Sequence, residues 1–454
     1  MLNHYLSPIL LHIAPPTWLV IPFITLLGMI ASGPLLYENF WHKHYSTIAI
    51  LLATLVIGYY TIMLQEYVIP VDTIVEYIQF ITLISALYIA AGGIHIHLKG
   101  HATTKTNILF LITGAILSNI IGTTGASMLL IRPYIRFNKG HIRPYHIIFF
   151  IFLISNVGGA LTPIGDPPLF LGFLKGIPFH WTLQHNFAPW LIAILALCSI
   201  FYCLDVRHEK TYSHEATASS HAFITITGKR NFLWLIGIVA AVFVDPNLWT
   251  AIPASHYHGH VISFVRELLF LAISYVAYRY ANKHALRDNT FSWEPLKEVV
   301  ILFFGIFSTM MPALFIISNY AQKLPSYLLT PSTLYWGTGM LSSMLDNAPT
   351  YLNFLAASMA SQGADMLQHT DVYQYAVGGY LDSILRLKVI SIAAVFFGAM
   401  TYIGNGPNFM VKSIAEQLGI KMPSFGKYIL LFAIPFLLPV LAIIWLLCCY
   451  WELL

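Results

Sequence analysis

The chain has 454 residues, 57% of them apolar and 9% charged, with a mean hydropathy of +0.71. A soluble chain carries roughly a quarter of its residues charged, so a water-soluble globular protein is excluded. The formal charge of +4 is spread over loops and forms no nucleic-acid-binding face. Apolar residues come in runs of about 20, the length of a helix crossing the hydrocarbon core, and nothing alternates with period two as in an outer-membrane barrel. The expected fold class is an all-α polytopic membrane protein.

In chain order, the N-terminal "MLNHYLSPILLHIAPP" lacks the basic region and small-residue site of a cleaved signal peptide. About ten spans follow, at about 18–38, 44–66, 75–96, 144–172, 186–204, 231–250, 261–281, 297–317, 386–412 and 427–449. Two further apolar stretches, about 106–132 and 331–360, do not fit as simple crossings. If both are re-entrant hairpins, most of the 23 Lys and Arg residues, from Lys43 and Lys99 through Arg136 and Arg207 to Lys427, share one face. That face is the cytoplasmic one. Three spans, a hairpin and two spans then occur twice in opposite directions, a 5+5 inverted repeat. The boundaries are about 1–204 and 231–454, with a polar linker at about 205–230. No phosphate-binding G-x-x-x-x-G-K-[ST] loop is present, so transport would run on an ion gradient. No cofactor is expected beyond the transported or coupling ions Na+ and H+. The four cysteines, Cys198, Cys203, Cys448 and Cys449, lie in or beside apolar spans without zinc-ligand spacing and read as packing residues.

The chemistry concentrates in four stretches: the hairpins "LSNIIGTTGASMLLIRP" and "MLDNAPTYLNFL", and the spans "SNVGGALTPIGDPPLF" and "GAMTYIGNGPNF". Pro163, Pro167, Pro168 and Pro407 lack a backbone donor, so their helices must open. Open backbone is tolerated at membrane depth only where it is buried in protein or lines a wet cavity. Freed carbonyls, Ser and Thr hydroxyls and Asn oxygens are hard ligands suited to a small cation. The candidate ion or proton site is therefore Asp166, Asp346, Asn156, Asn347, Ser118, Asn119, Thr123, Thr124, Ser155, Thr162, Thr350, Thr401, Asn405 and Asn408, with Na+ on a subset of them. The plainer readings are N-caps for Asp166 and Asp346 and interhelical hydrogen bonds for the asparagines. The His clusters at 95–101 and 256–260 read as loop residues rather than a zinc site. Arg266-Glu267 reads as a local ion pair.

The motifs "NVGGALTPIGDPP" and "LDNAPTYLNF" resemble the paired signatures of the ion transporter superfamily. That group includes NhaD-type sodium/proton antiporters, arsenite permeases, the melanosomal P protein and CitMHS-like citrate or dicarboxylate carriers. The resemblance implies sodium sites at hairpin tips and broken helices, a homodimer, elevator-like alternating access and a bacterial inner-membrane location. By it, Asn156 and Asp166 match the Asn and Asp of the antiporters' broken span. Asp346 and Asn347 match their second-hairpin pair, and Thr123 and Thr124 their Thr run. Pro167-Pro168 after the Asp follows the arsenite permease and P-protein pattern instead, and Ser118-Asn119 replaces the antiporters' first Asp-Asn pair. The function expected first is sodium/proton antiport, with partners sodium, protons and membrane lipid. The alternative is sodium-coupled symport of citrate or another small carboxylate.

Overall fold

A computed structural model describes residues 14–99, 102–212, 223–246, 249, 251–257, 260–323 and 328–450. The chain is an all-α polytopic membrane protein. Eight of its described helical segments are long and apolar enough to cross a membrane. The first helices are α1 (Ile21–Leu36), α2 (Glu38–Gly58) and α3 (Val68–Gly92). Strand β1 (His95–Lys99) pairs antiparallel with β2 (Phe223–Thr227).

Next comes α4 (Thr104–Phe137), started by a Thr103–Thr106 capping box and interrupted at Gly122, where φ is 77° and ψ 153°. That backbone conformation strains any residue with a Cβ. A straight helix would separate Phe110 from Tyr134 by about 36 Å, yet their rings stack at 5.1 Å. Asn107 and Asn138 exchange hydrogen bonds of 3.0 and 2.9 Å. The segment, counted as one crossing by length and composition, therefore folds back on itself at Gly122.

Helix α5 (Pro144–Leu153) begins with Pro at its first position and gives way to a short 3-10 turn at Val157–Leu161. After an extended passage, α6 (Pro167–Lys175) resumes, again with Pro first. Helix α7 (Trp181–Tyr212) continues into the stretch expected to be linker; residues 213–222 lie outside the described set.

The second half contains α8 (Arg230–Ala241), a small β3–β4 hairpin (Ser255–Tyr257, His260–Ile262), α9 (Val265–Arg279), α10 (Lys283–Asp288) and α11 (Glu294–Lys323). The span expected at 261–281 is thus a 15-residue helix. Its Arg266 bonds to Glu267 at 2.9 Å and to Asp245 at 3.2 Å. Helices α12 (Pro331–Met344) and α13 (Asn347–Ala360) form the second hairpin. A Cβ at Gly337 would lie 3.0 Å from Phe354, which places the two arms side by side. Then follow α14 (His369–Ala376), α15 (Ser383–Phe397), a 3-10 turn at Gly398–Met400 and α16 (Gly406–Gln417). The chain closes with α17 (Phe425–Tyr428), which runs through a π-helical stretch into α18 (Leu438–Trp445).

Burial ranks these segments. The Pro144–Leu161 and Ser383–Met400 windows are 94% and 89% buried within the protein, against 22% for Asn39–Met63. The two interrupted spans are therefore shielded from lipid by other helices, where open backbone is permitted.

The hairpin base is tied to α5 and α7 by Asp205, which accepts Tyr145 Oη at 2.6 Å and Asn107 Nδ2 at 3.4 Å, with His146 Nε2 at 3.1 Å. Asp205→Ala removes the shared acceptor of all three buried groups, of which Asn107 keeps Asn138. The expected outcome is a loss of about 3 kcal/mol, read as a lower melting temperature in detergent. Unchanged melting would show the cluster to be energetically idle.

Of the His clusters, His95 and His97 sit in β1, while His101 and His258 lie outside the described residues. Burial holds His95 below its usual range, partly offset by Asp288 at 3.9 Å. Among the described residues, no three His, Cys, Asp or Glu side chains cluster as a metal site would require.

Candidate functional site

Opening the α5–α6 span leaves backbone groups that must find partners inside the protein. Three residues one helical turn apart on α7 supply donors: Thr182 to Leu161 O at 3.0 Å, Asn186 to Ala160 O at 3.0 Å and Trp190 to Gly158 O at 3.2 Å. From the first hairpin, Asn119 Oδ1 accepts Leu161 N at 2.9 Å, and Thr162 Oγ1 donates to Asn119 O at 2.6 Å. Ser118 donates to Ile154 O at 2.8 Å.

The second half repeats this bracing. Ser342 donates to Ala394 O at 2.6 Å, and Thr401 donates to Ser343 O at 2.6 Å. Thr401 Oγ1 also accepts Gly404 N at 3.0 Å. The backbone at the two breaks matches too: φ/ψ is −138°/143° at Asp166 and −147°/140° at Asn405. "TPIGD" and "TYIGN" are thus extended at both ends, Thr162 (−135°/154°) matching Thr401 (−139°/169°), with a carboxylate closing one and a carboxamide the other.

All four elements meet at Asp166, 1% exposed. It accepts three hydrogen bonds: Thr123 Oγ1 at the first hairpin tip (2.7 Å), Asn347 Nδ2 at the second (2.9 Å) and Asn405 Nδ2 from the other broken span (3.2 Å). Asn405 Nδ2 also lies 3.1 Å from Ser155 O and 3.2 Å from Asn156 Oδ1. Asn156 Nδ2 donates to Asn408 Oδ1 at 2.7 Å, and Asn408 Nδ2 reaches Gly398 O and Thr401 O. Every donor to Asp166 is neutral. An ionised carboxylate this deep is costly without a positive partner, and its described partners include no Lys, Arg or His.

The structure sorts the sequence candidates into groups. Asp166, Thr123, Asn347, Asn405, Asn156 and Asn408 form one connected network, with Ser155 contributing its carbonyl. Ser118, Asn119, Thr162 and Thr401 brace the open backbone, and Thr350 donates to Asp346 O at 3.0 Å. Asp346 caps α13 through Ala348 N at 3.0 Å and does not join the network. Two participants escaped the sequence reading. The Ser342 hydroxyl, shared between Ala394 O and Asn347 Oδ1, lies 2.7 Å from the latter, and Ser127 pairs with Ser155 Oγ at 2.7 Å. Ser342 carried a signal, since "LSSM" occupies the place in the second hairpin that "LSNI" has in the first.

Two cavities flank the first hairpin tip, and Thr124 lines both. One, of about 40 Å³, is bordered by Phe80, Tyr88, Thr123, Asp166 and Phe170. The other, of about 140 Å³, is bordered by Trp41, Glu298, Phe303, Asp346 and Asn405. A third, of about 340 Å³, opens beyond α11 and is lined by Asp72, Glu76, Lys175, Phe307 and Asp365. Phe80 lies 4.8 Å from Phe303 and 5.5 Å from Phe307, centroid to centroid, so one aromatic cluster separates the three.

A family model described as "Putative citrate transport" matches residues 12–449. The chain belongs to that family. This agrees with the CitMHS-like ion transporter resemblance carried by the broken-span and hairpin motifs. Family and fold together make the protein a transporter and not an enzyme. No similar sequence was found among curated proteins.

Proposed function

We propose that this citrate-transport family member is a secondary active transporter moving a citrate-class carboxylate together with a monovalent cation, sodium or proton. Asp166 would hold the coupling cation. The observation that supports this most directly is the lone buried carboxylate ringed by neutral donors where both hairpins meet both broken spans. A cation held there would bring Thr123, Asn347 and Asn405 together, coupling its binding to the position of both hairpins. Neither flanking cavity is lined by Lys or Arg. The carboxylate substrate would therefore be met by the N-terminal ends of α6, α13 and α16, with the bound cation balancing part of its charge. In this reading the halves 1–204 and 231–454 act as inverted repeats and the protein sits in the cell inner membrane.

Sodium/proton exchange without a carboxylate is the second reading, favoured by the acidic lining of the larger cavity, Glu298 and Asp346. Proteoliposomes with an internal pH dye and labelled citrate separate the two. Citrate uptake that requires an inward sodium or proton gradient is the expected result. Sodium-driven proton movement with no citrate present, and no citrate uptake, would establish exchange instead.

A further inference from the structure

Glu298 lies outside the network around Asp166 and belongs to none of the four motif stretches. Its place on α11 is nevertheless specific. Glu298, Val299, Leu302, Phe303 and Ile306 all line the 140 Å³ cavity, which is the spacing of one helix face. Glu298 is the only ionisable residue among these five. From Glu298 to Ile306 that face runs about 12 Å along the helix. The opposite wall carries Thr124, Asp346 and Asn405, and Asn405 is the residue that donates to Asp166. The cavity therefore extends from near the start of α11 to the back of the cation network, along a helix face that is otherwise apolar.

Glu298 is half-buried and joins none of the hydrogen bonds or ion pairs formed among the described residues. Its charged or titratable neighbours are His42 and Tyr45 on α2 and Glu294 one turn earlier on α11. Across the cavity stands Asp346. Among the described residues Glu298 has no hydrogen bond or ion pair, its one attractive neighbour being His42, and it faces the second hairpin's aspartate across the same cavity. A cation crossing the apolar stretch gains a counter-charge at its outer end.

We propose that Glu298 is the access relay for the coupling cation, taking it up at the end of the cavity near the start of α11 and passing it inward toward Asp346 and the Asp166 network. For a proton, the Glu298 carboxylate is protonated at the mouth and gives that proton to the Asp346 carboxylate, which leaves Glu298 ionised for the next cycle. For sodium, the ion dwells at the carboxylate and moves on, with no bond made or broken. Glu298 thus sets the rate of cation access and is not part of the final binding set. The inference rests on the cation-coupled reading of the Asp166 network.

The test is gradient-driven citrate uptake and citrate–citrate exchange in proteoliposomes, for wild type, Glu298→Gln, Glu298→Asp and Glu294→Gln. Each is measured across pH at fixed sodium and across sodium at fixed pH. Glu298→Gln should slow gradient-driven uptake at least tenfold and flatten its dependence on the coupling cation, while exchange at saturating cation stays within twofold of wild type. Glu298→Asp should recover most of the rate, and Glu294→Gln should behave as wild type. Which dependence flattens identifies the relayed ion. Wild-type rate and cation dependence in Glu298→Gln would overturn the proposal, and so would an equal loss of uptake and exchange, the mark of a structural role. Wild-type uptake indifferent to both cations would instead overturn the coupled reading itself.

Discussion

Asp166→Asn should abolish cation-driven citrate uptake, a drop on the order of a hundredfold or more, while leaving the protein folded. The substitution keeps the shape of the side chain. It removes the one negative charge in the network and turns one acceptor into a donor facing other donors. Thr123, Asn347 and Asn405 all donate to this group, so an amide there leaves at least one pair opposed, a cost of about 1–3 kcal/mol. That cost is bearable in a segment braced by Thr182, Asn186, Trp190 and Asn119, so the melting temperature should fall only modestly. A hundredfold loss corresponds to about 2.7 kcal/mol, which a single missing charge–cation contact in a dry site readily supplies. Uptake by purified protein in proteoliposomes is the check. Activity within a fewfold of wild type would remove Asp166 from the coupling role.

Gly165→Ala should be nearly as damaging for a different reason. A Cβ at Gly165 would sit 2.1 Å from Gly159 O and 2.7 Å from its carbonyl carbon. Both are backbone atoms, so no rotamer change relieves the clash. Gly165 O is also the acceptor for Thr123 N at 2.8 Å, the bond that seats the first hairpin tip on the broken span. Pushing residues 159 and 165 apart thus displaces Thr123 and Asp166 together. Overpacking of this kind costs about 1–3 kcal/mol, and a misplacement of about 1 Å at a site can cost a hundredfold in rate. Gly404→Ala should act similarly, since its Cβ would lie 2.6 Å from Gly398 O and 2.8 Å from Ser342 O. Gly406→Ala is the matched control: nothing lies within 4 Å of its Cβ position, so melting and uptake should stay near wild type. Equal behaviour of Gly165→Ala and Gly406→Ala would mean that the close approach of residues 159 and 165 is not needed.

The breaks were legible because Pro163, Pro167, Pro168 and Pro407 stand among Gly and polar residues, which gather in the structure, whereas Pro189 and Pro312, in apolar surroundings, sit inside α7 and α11. What spacing along the chain could not resolve was which neighbour faces inward. Thr123 bonds to Asp166, whereas Thr124 turns to the cavities, and the difference is set by the Gly122 break. Asp346 and Asn347 are also adjacent, yet only Asn347 reaches Asp166, because Asp346 is engaged in starting α13. The partners of the open carbonyls lie on α7, an ordinary-looking span whose Thr182, Asn186 and Trp190 gain meaning only from what packs against them. Glu298 was invisible for the same reason, since a charged residue in the first turns of a span reads as an interfacial one. The shift toward a carboxylate cargo came from the family match, as nothing in the motifs distinguishes a cation site used for exchange from one used for symport.

The most direct test of the account is citrate binding to the purified protein, titrated at several sodium concentrations and pH values, for wild type and Asp166→Asn. Coupling is reciprocal, so citrate affinity in the wild type should rise with sodium or with protons. In Asp166→Asn that dependence should vanish while binding at saturating citrate persists. Wild-type citrate binding indifferent to both cations, or a cation dependence that survives in Asp166→Asn, would contradict the assignment of Asp166 as the coupling residue.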